Sequence, residues 1–287
     1  MPELPEVETI RRDLNKKIVG KNISDIKVRK NKMVIGSTKS FIASLKGRKF
    51  TKIDRRGKLM IFNLDKKDLF LLAHLKMTGQ LIFKKKNQIT AGGHSGSETN
   101  LELPNKFSHI IITFSDKSQL FFNDMRQFGY MKLVNEKDKD LALTKFGLEP
   151  LTKNFQFKDF GKVFKNKKSS LKAVLLNQKL IAGLGNIYVD EICFRAKVLP
   201  TKKVYRISQK KITELFKATN YIIKKAIQKR GTTFNDYVDA DGKTGNFIKY
   251  LKVYQRAGET CLRCKKVKIK KVKSAGRGTH LCPYCQK

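Results

Sequence analysis

The chain has 287 residues, which suits two domains of ordinary size rather than one or three. It has no run near 18 uninterrupted apolar residues, and its acidic Pro-Glu opening is unlike a signal peptide. A soluble intracellular protein without membrane contact is therefore expected. Sixty-three Lys and Arg against 24 Asp and Glu give a net charge of +39, an excess that opposes compaction. Lysine-rich composition accounts for part of it, and a polyanionic partner, nucleic acid first, accounts for the rest.

Along the chain, Pro5 to Ile18 reads as a helix, with Pro5 in its first turn, Glu6 and Glu8 at the positive end of its dipole, and Gly20 beyond its end. From Ile23 to Val134 short apolar runs alternate with polar turns. Residues 58–62, 69–73, 81–83, 109–114, 119–122 and 129–134 read as strands of a sandwich or barrel. Residues 86–106, rich in Gly, Ser, Asn and Thr, read as a surface loop carrying a solvated His94. Residues 135–154 read as a connector containing the charge run 136–140. From Phe157 the periodicity turns helical. Helices are expected over 169–180 and 187–196, flanking Ala182-Gly183-Leu184-Gly185-Asn186, and over 208–229. Residues 232–245 read as loop.

Four of the five cysteines lie in the last 27 residues, as Cys261-x2-Cys264-x17-Cys282-x2-Cys285. Two thiolates in each tight turn complete a tetrahedron, and four cysteine ligands leave no open position. One structural Zn2+ is expected rather than a catalytic one. A disulfide or redox pair and His280 as a competing ligand are the alternatives. From Cys261 onward there are nine Lys or Arg and no carboxylate, the make-up of a nucleic-acid-binding hairpin. Cys193 stands alone in an apolar helical stretch and reads as core.

Pro2 is small enough to permit removal of Met1, which would free a secondary amine. An α-amine has a pKa of about 8, so part of it is neutral and nucleophilic near pH 7 and can form an iminium with a sugar C1′. Taken alone, Pro2-Glu3 fits the plain start of a helix better.

Several motifs occur together and in order. They are Pro2-Glu-Leu-Pro-Glu-Val-Glu-Thr9, Arg55-Arg56-Gly57-Lys58, His74-Leu-Lys-Met77-Thr-Gly79, Asn123-Asp124-Met-Arg126-Gln-Phe128-Gly129, Gly183-Leu-Gly185-Asn186-Ile-Tyr188, Arg230-Gly231-Thr232-Thr233, Asp241-Gly242-Lys243 and the cysteine finger. Over nearly its whole length the chain resembles formamidopyrimidine-DNA glycosylases. The resemblance implies an α+β multidomain fold. An N-terminal helix and catalytic β-sandwich (1–134) lead through a linker (135–154) to a helix–two-turns–helix DNA-binding domain (155–250) and a zinc-finger β-hairpin (251–287), with DNA in the cleft between domains.

It also implies roles. Pro2 is the nucleophile that displaces an oxidised purine and forms a Schiff base. Glu3 is the acid/base that protonates the opening deoxyribose, a task that calls for a raised pKa. Glu6 orients Pro2 or the ring-opened sugar, Lys58 contacts phosphates and assists β-elimination, and Arg277 grips a phosphate and assists δ-elimination. Met77, Arg126 and Phe128 fill the gap left by an everted nucleotide, whose extrusion costs a few kcal/mol. Asn186 and Lys167 match phosphate contacts, and His74, His109 and Tyr254 are weaker candidates for the same task. The chain departs from the pattern at Phe107, where the family often has a second histidine, and at Asn235, where some members carry a basic residue. The expected partner is damaged double-stranded DNA, bound by a monomer in the cytoplasm at the nucleoid. Two other readings are an endonuclease VIII-type glycosylase for oxidised pyrimidines and a non-catalytic zinc-ribbon binder.

Overall fold

The computed structural model describes residues 1–85, 88–93, 103–232 and 246–287. His94, Thr233, Asn235 and the 241–243 motif lie outside the described residues. The backbone divides into two units, Met1–Thr144 with Lys229–Ile248, and Lys145–Gln228 with Lys249–Lys287. The sequence boundaries had grouped 229–248 with the helical domain.

The first unit opens with α1 (Leu4–Ile18), started by a capping box between Glu3 and Glu6 with Pro5 in the first turn. Leu4, Val7, Ile10, Leu14 and Ile18 recur at helical spacing and all are buried. They cover a sandwich of two antiparallel sheets. One has the order β1 (Ile23–Val28), β7 (Ser108–Phe114), β8 (Gln119–Asp124), β5 (Gly79–Lys85) and β6 (Gln88–Gly93). The other has the order β2 (Phe50–Arg56), β3 (Leu59–Leu64), β4 (Phe70–His74) and β9 (Tyr130–Val134). Alternate residues of both sheets point inward, so that Ile53, Met60, Phe62 and Leu71 share a core with Leu81, Ile110, Ile112 and Phe122. Phe50 sits between Phe62 and Phe114, with ring centroids 5.3 and 6.4 Å away. The short helix α2 (Thr38–Leu45), capped by Ser37, adds Phe41 and Leu45 to that core.

Two segments differ from the sequence reading. Within 86–106, residues 88–93 form β6, which pairs along β5 from Lys85↔Gln88 to Gln80↔Gly93. Main-chain ladder bonds suffice for an edge strand, so the segment needs no apolar alternation. The charge run 136–140 lies in α3 (Glu136–Leu143), where the Asn135 side chain accepts from the Asp138 N–H at 2.8 Å and Glu136 and Asp138 face the positive dipole end. This helix buries no residue and so lacks an apolar stripe.

The second unit contains α4 (Phe157–Lys162), α5 (Leu171–Leu176), α6 (Asn186–Arg195) and α7 (Gln209–Gln228), with Phe155, Phe160 and Phe216 packed ring to ring. The two turns between α5 and α6 are held by Gln178. Its amide donates to the Leu176 and Leu184 carbonyls and its oxygen accepts from Gly183. Gly147 allows the chain to approach this turn: a Cβ there would lie 2.2 Å from the Leu180 oxygen. A two-stranded hairpin, β10 (Lys270–Ser274) and β11 (Arg277–Leu281), ends the unit. Cys193 is fully buried in α6, and burial pushes its thiol pKa up, as suits an inert core residue. Among the described residues no helix is long and apolar enough to cross a membrane.

Candidate active site

In the first unit, the N-terminus of α1 collects most of the residues expected to do chemistry. Pro2 and Glu3 are buried, while Met1 stays partly exposed. Glu6 uses both carboxylate oxygens on main-chain amides. It accepts from Glu3 N–H at 2.8 Å and from Thr232 N–H at 2.7 Å. Its place is therefore that of a clamp on the first residues of the chain. Gly231 makes this possible, since its φ is +84° and a Cβ there would lie 2.6 Å from the Glu6 Oε1.

Lys58 occupies the two-residue turn between β2 and β3, beside Gly57 at φ +56°, and is only 5 % exposed. Burying a lysine is costly unless other groups answer its charge. The terminal α-amine also registers its surroundings. Burial pushes its pKa below 8.0, Lys58 and Arg126 push the same way, and Glu3 and Glu6 oppose them. Glu3, Glu6, Lys58 and Arg126 therefore all act electrostatically on the Met1 α-amine. Glu8 fixes the turn from behind: its carboxylate accepts from Arg11, Arg12 and, at 2.8 Å, from Arg55 Nε, which joins α1 to β2.

His74, at the end of β4 opposite Leu59, is neutral, with its pKa lowered to about 3 by burial first and then by Lys76 and Lys58. Its Nδ1 accepts from the Lys76 N–H at 2.9 Å, which places the proton of the neutral ring on Nε2.

Asp124 organises the loop after β8. It is fully buried, accepting at Oδ1 from the Thr78 hydroxyl and from the Arg126 N–H (3.2 Å), and at Oδ2 from the Gly129 N–H (2.7 Å). The loop holding Met77 is thus tied to the one presenting Arg126 and Phe128. Arg126 lies 5.0 Å from the centre of the Phe128 ring, and that ring is 57 % exposed. The guanidinium is attracted to the face of the ring, and the exposed ring and cation together suit stacking against a base. His109, a weaker candidate for a phosphate contact, lies inside the first unit. It is 4 % exposed, and its Nε2 contacts the Asp124 carbonyl oxygen at 2.7 Å, so it braces this loop from within.

In the second unit, Asn186 begins α6 and donates to the Gly278 carbonyl at 3.1 Å, and Lys167 lines an open recess of about 600 Å3 with Asn166, Lys168, Lys203 and Tyr205. Glu191 accepts from the backbone amides of Lys252, Val253 and Tyr254 at 2.9–3.0 Å, fixing the segment that carries Tyr254. Arg277 is exposed at the start of β11. Glu191 escapes sequence reasoning because its partners, the amides of Lys252, Val253 and Tyr254, lie 61–63 residues away in the chain. The only local signal is an Asp or Glu inside an otherwise apolar stretch.

The cysteine site agrees with its spacing. The four Sγ atoms lie within 4.8 Å of one another, with Cys261–Cys285 at 3.9 Å and Cys264–Cys282 at 3.8 Å. A tetrahedron with Zn–S bonds of about 2.3 Å has edges of about 3.8 Å. Thus Cys261, Cys264, Cys282 and Cys285 form the site of one structural zinc ion.

Comparison with known proteins agrees with this arrangement. Residues 1–131 match the formamidopyrimidine-DNA glycosylase N-terminal domain, 146–237 the H2TH domain of the same enzymes, and 258–287 the zinc finger found in FPG and IleRS. The formamidopyrimidine-DNA glycosylase of Listeria innocua is 39 % identical over the full length of both chains. Lactococcus lactis Fpg in complex with DNA containing an N7-benzyl-Fapy-dG superposes with a TM-score of 0.87 at 35 % identity, covering 100 % of both chains. The same protein with DNA containing an abasic site gives 0.86 at 35 % identity and 99 % coverage of both. From its buried N-terminus to its four-cysteine finger, the chain belongs to the formamidopyrimidine-DNA glycosylase family.

Proposed function

We propose that this protein is a bifunctional DNA glycosylase and AP lyase that removes oxidised purines, 8-oxoguanine and formamidopyrimidines, from duplex DNA. The observation that carries the reading is the start of the chain itself: Glu3 is buried, Glu6 clamps the Glu3 and Thr232 amides, Lys58 is buried in its turn, and Glu3, Glu6, Lys58 and Arg126 all act electrostatically on the α-amine. Removal of Met1 exposes the Pro2 secondary amine to those surroundings. The neutral amine attacks C1′ of the damaged nucleotide, the N–C1′ bond forms, and the glycosidic bond breaks with its electron pair leaving on the base, which takes up the proton that the Pro2 nitrogen gives up. Glu3 delivers a proton to the ring oxygen as the sugar opens to the Schiff base. Loss of a C2′ proton expels the 3′ phosphate, and a second elimination expels the 5′ phosphate. Lys58 and Arg277 stabilise the phosphates that leave. Hydrolysis of the remaining imine restores the amine.

Met77, Arg126 and Phe128 occupy the duplex where the nucleotide has left, and Asn186, Lys167, His74 and Tyr254 hold phosphates nearby. His109 acts by supporting Arg126 and Phe128 through Asp124. Zinc supplies structural rigidity to the finger and takes no part in bond breaking. The protein acts as a monomer on cytoplasmic, nucleoid DNA.

Borohydride should trap a covalent protein–DNA adduct on an 8-oxoguanine duplex. Pro2→Gly should remove most of it, and Glu3→Gln should block base removal while leaving cleavage at a preformed abasic site. Faster excision of thymine glycol than of 8-oxoguanine would reverse the substrate assignment.

A further inference from the structure

Lys172 of α5 is the least expected residue of the second unit, because it is a lysine with no solvent exposure at all. Its Nζ donates to Asp190 Oδ1 of α6 at 2.6 Å, and Asp190 is equally sealed from solvent. A buried ion pair seldom adds stability over apolar residues of the same size, because desolvation of two charges offsets their attraction. The remaining contacts of this pair all run to one place. Lys172 Nζ also donates to the Gly278 carbonyl at 3.2 Å. Asp190 Oδ2 accepts from the His280 backbone N–H at 2.8 Å and lies 3.3 Å from His280 Nδ1. Both contacts fall on β11 within three residues of Arg277.

The finger does not need this pair for attachment. Gln286 donates to the Val198 carbonyl at 2.9 Å, Arg263 donates to the Phe194 carbonyl at 2.7 Å and lies over the Phe194 ring, and four cysteines close its base. Arg277 follows a tight turn whose two residues, Ala275 and Gly276, both have positive φ; it pairs with Ser274 across the ribbon, and its carbonyl accepts from the Thr279 hydroxyl at 3.1 Å within its own strand. A two-stranded ribbon is marginally stable by itself, so this strand depends on contacts from outside it, those of Lys172 and Asp190 together with the Asn186 amide on the Gly278 carbonyl at 3.1 Å.

We propose that the Lys172–Asp190 pair is a positioning device for Arg277. By holding the Gly278 carbonyl and the His280 amide, it sets the height and direction of the strand from which the guanidinium reaches its phosphate. This rests on the reading of Arg277 as the residue that assists δ-elimination. The pair then acts on the second elimination and leaves Schiff-base formation at Pro2 untouched.

The test uses full-length, zinc-loaded protein on a duplex with a preformed abasic site, reading the ratio of δ- to β-elimination product, borohydride trapping and zinc content. Lys172→Met, Lys172→Met/Asp190→Asn and Arg277→Ala are compared with the unmodified protein. The double variant removes both charges but keeps an acceptor for the His280 amide, so it covers the case in which the single variant fails to fold. The expected result is a drop of about ten-fold or more in the δ-to-β ratio for all three, with trapping by the two Lys172 variants held within about two-fold and zinc retained. An unchanged ratio in the Lys172 variants beside a lowered ratio in Arg277→Ala overturns the positioning role alone. A parallel fall in trapping, or loss of zinc in both Lys172 variants, overturns it in favour of general support of the fold. An unchanged ratio in Arg277→Ala overturns the reading of Arg277 and the proposal with it.

Discussion

Glu6 and Thr232 are 226 positions apart, yet one carboxylate oxygen and one amide join them at 2.7 Å. The same carboxylate fixes Glu3 N–H, so the placement of the first residues of α1 depends on Gly231. Gly231→Ala adds a Cβ 2.6 Å from Glu6 Oε1 at a backbone φ of +84°. Relief requires moving either Glu6 or the backbone, at a cost of roughly 1–3 kcal/mol. Urea unfolding should show that loss, and trapping should slow although residue 231 touches no reacting atom. Unchanged stability together with unchanged trapping would contradict the clamp.

At the scale of elements, α1 is held to β2 by Glu8. Burial pushes its carboxyl pKa up, but hydrogen bonds from Arg11 and Arg12 and the charge of Arg55 outweigh it and hold the group at about 2 against an ordinary 4.5. The sign follows directly. A depressed carboxyl contributes stability above pH 4.5 and loses it as pH falls towards about 2. Urea midpoints measured from pH 6 to 3 should therefore fall more steeply for the unmodified protein than for Glu8→Gln. Equal slopes would show that the cluster carries no linkage.

The same scale explains what the sequence made legible. The helix over 5–18, the helices before and after Gly183 and the cysteine knuckles rest on local spacing, and local spacing is written in the chain. The strand Gln88–Gly93 and the helix Glu136–Leu143 carry no apolar period, so backbone pairing and capping made them instead. Asp124 and the Lys172–Asp190 pair draw their meaning from partners 46 and 18 residues away, and the contact of His109 with the Asp124 carbonyl is likewise invisible in the sequence. Met77 and Phe128 were recognisable only through their motifs, since Met and Phe usually mark core.

Across the whole molecule, a charge of +39 should dominate affinity for DNA. If six or more phosphates are neutralised, binding should weaken by on the order of a thousand-fold between 50 and 200 mM salt. A flat salt dependence measured by fluorescence anisotropy would contradict a phosphate-led interface. Removing zinc with a chelator should unfold the finger, weaken DNA binding and slow strand cleavage, and restoring zinc should recover both. Full cleavage by metal-free protein would separate the finger from the reaction. The most direct test of the account is to map the borohydride-trapped adduct by tryptic digestion and mass spectrometry. The account requires the sugar remnant on the peptide from Pro2 to Arg11, with Met1 absent and the mass on the Pro2 nitrogen. An adduct on a lysine, or on a chain that still carries Met1, would contradict it.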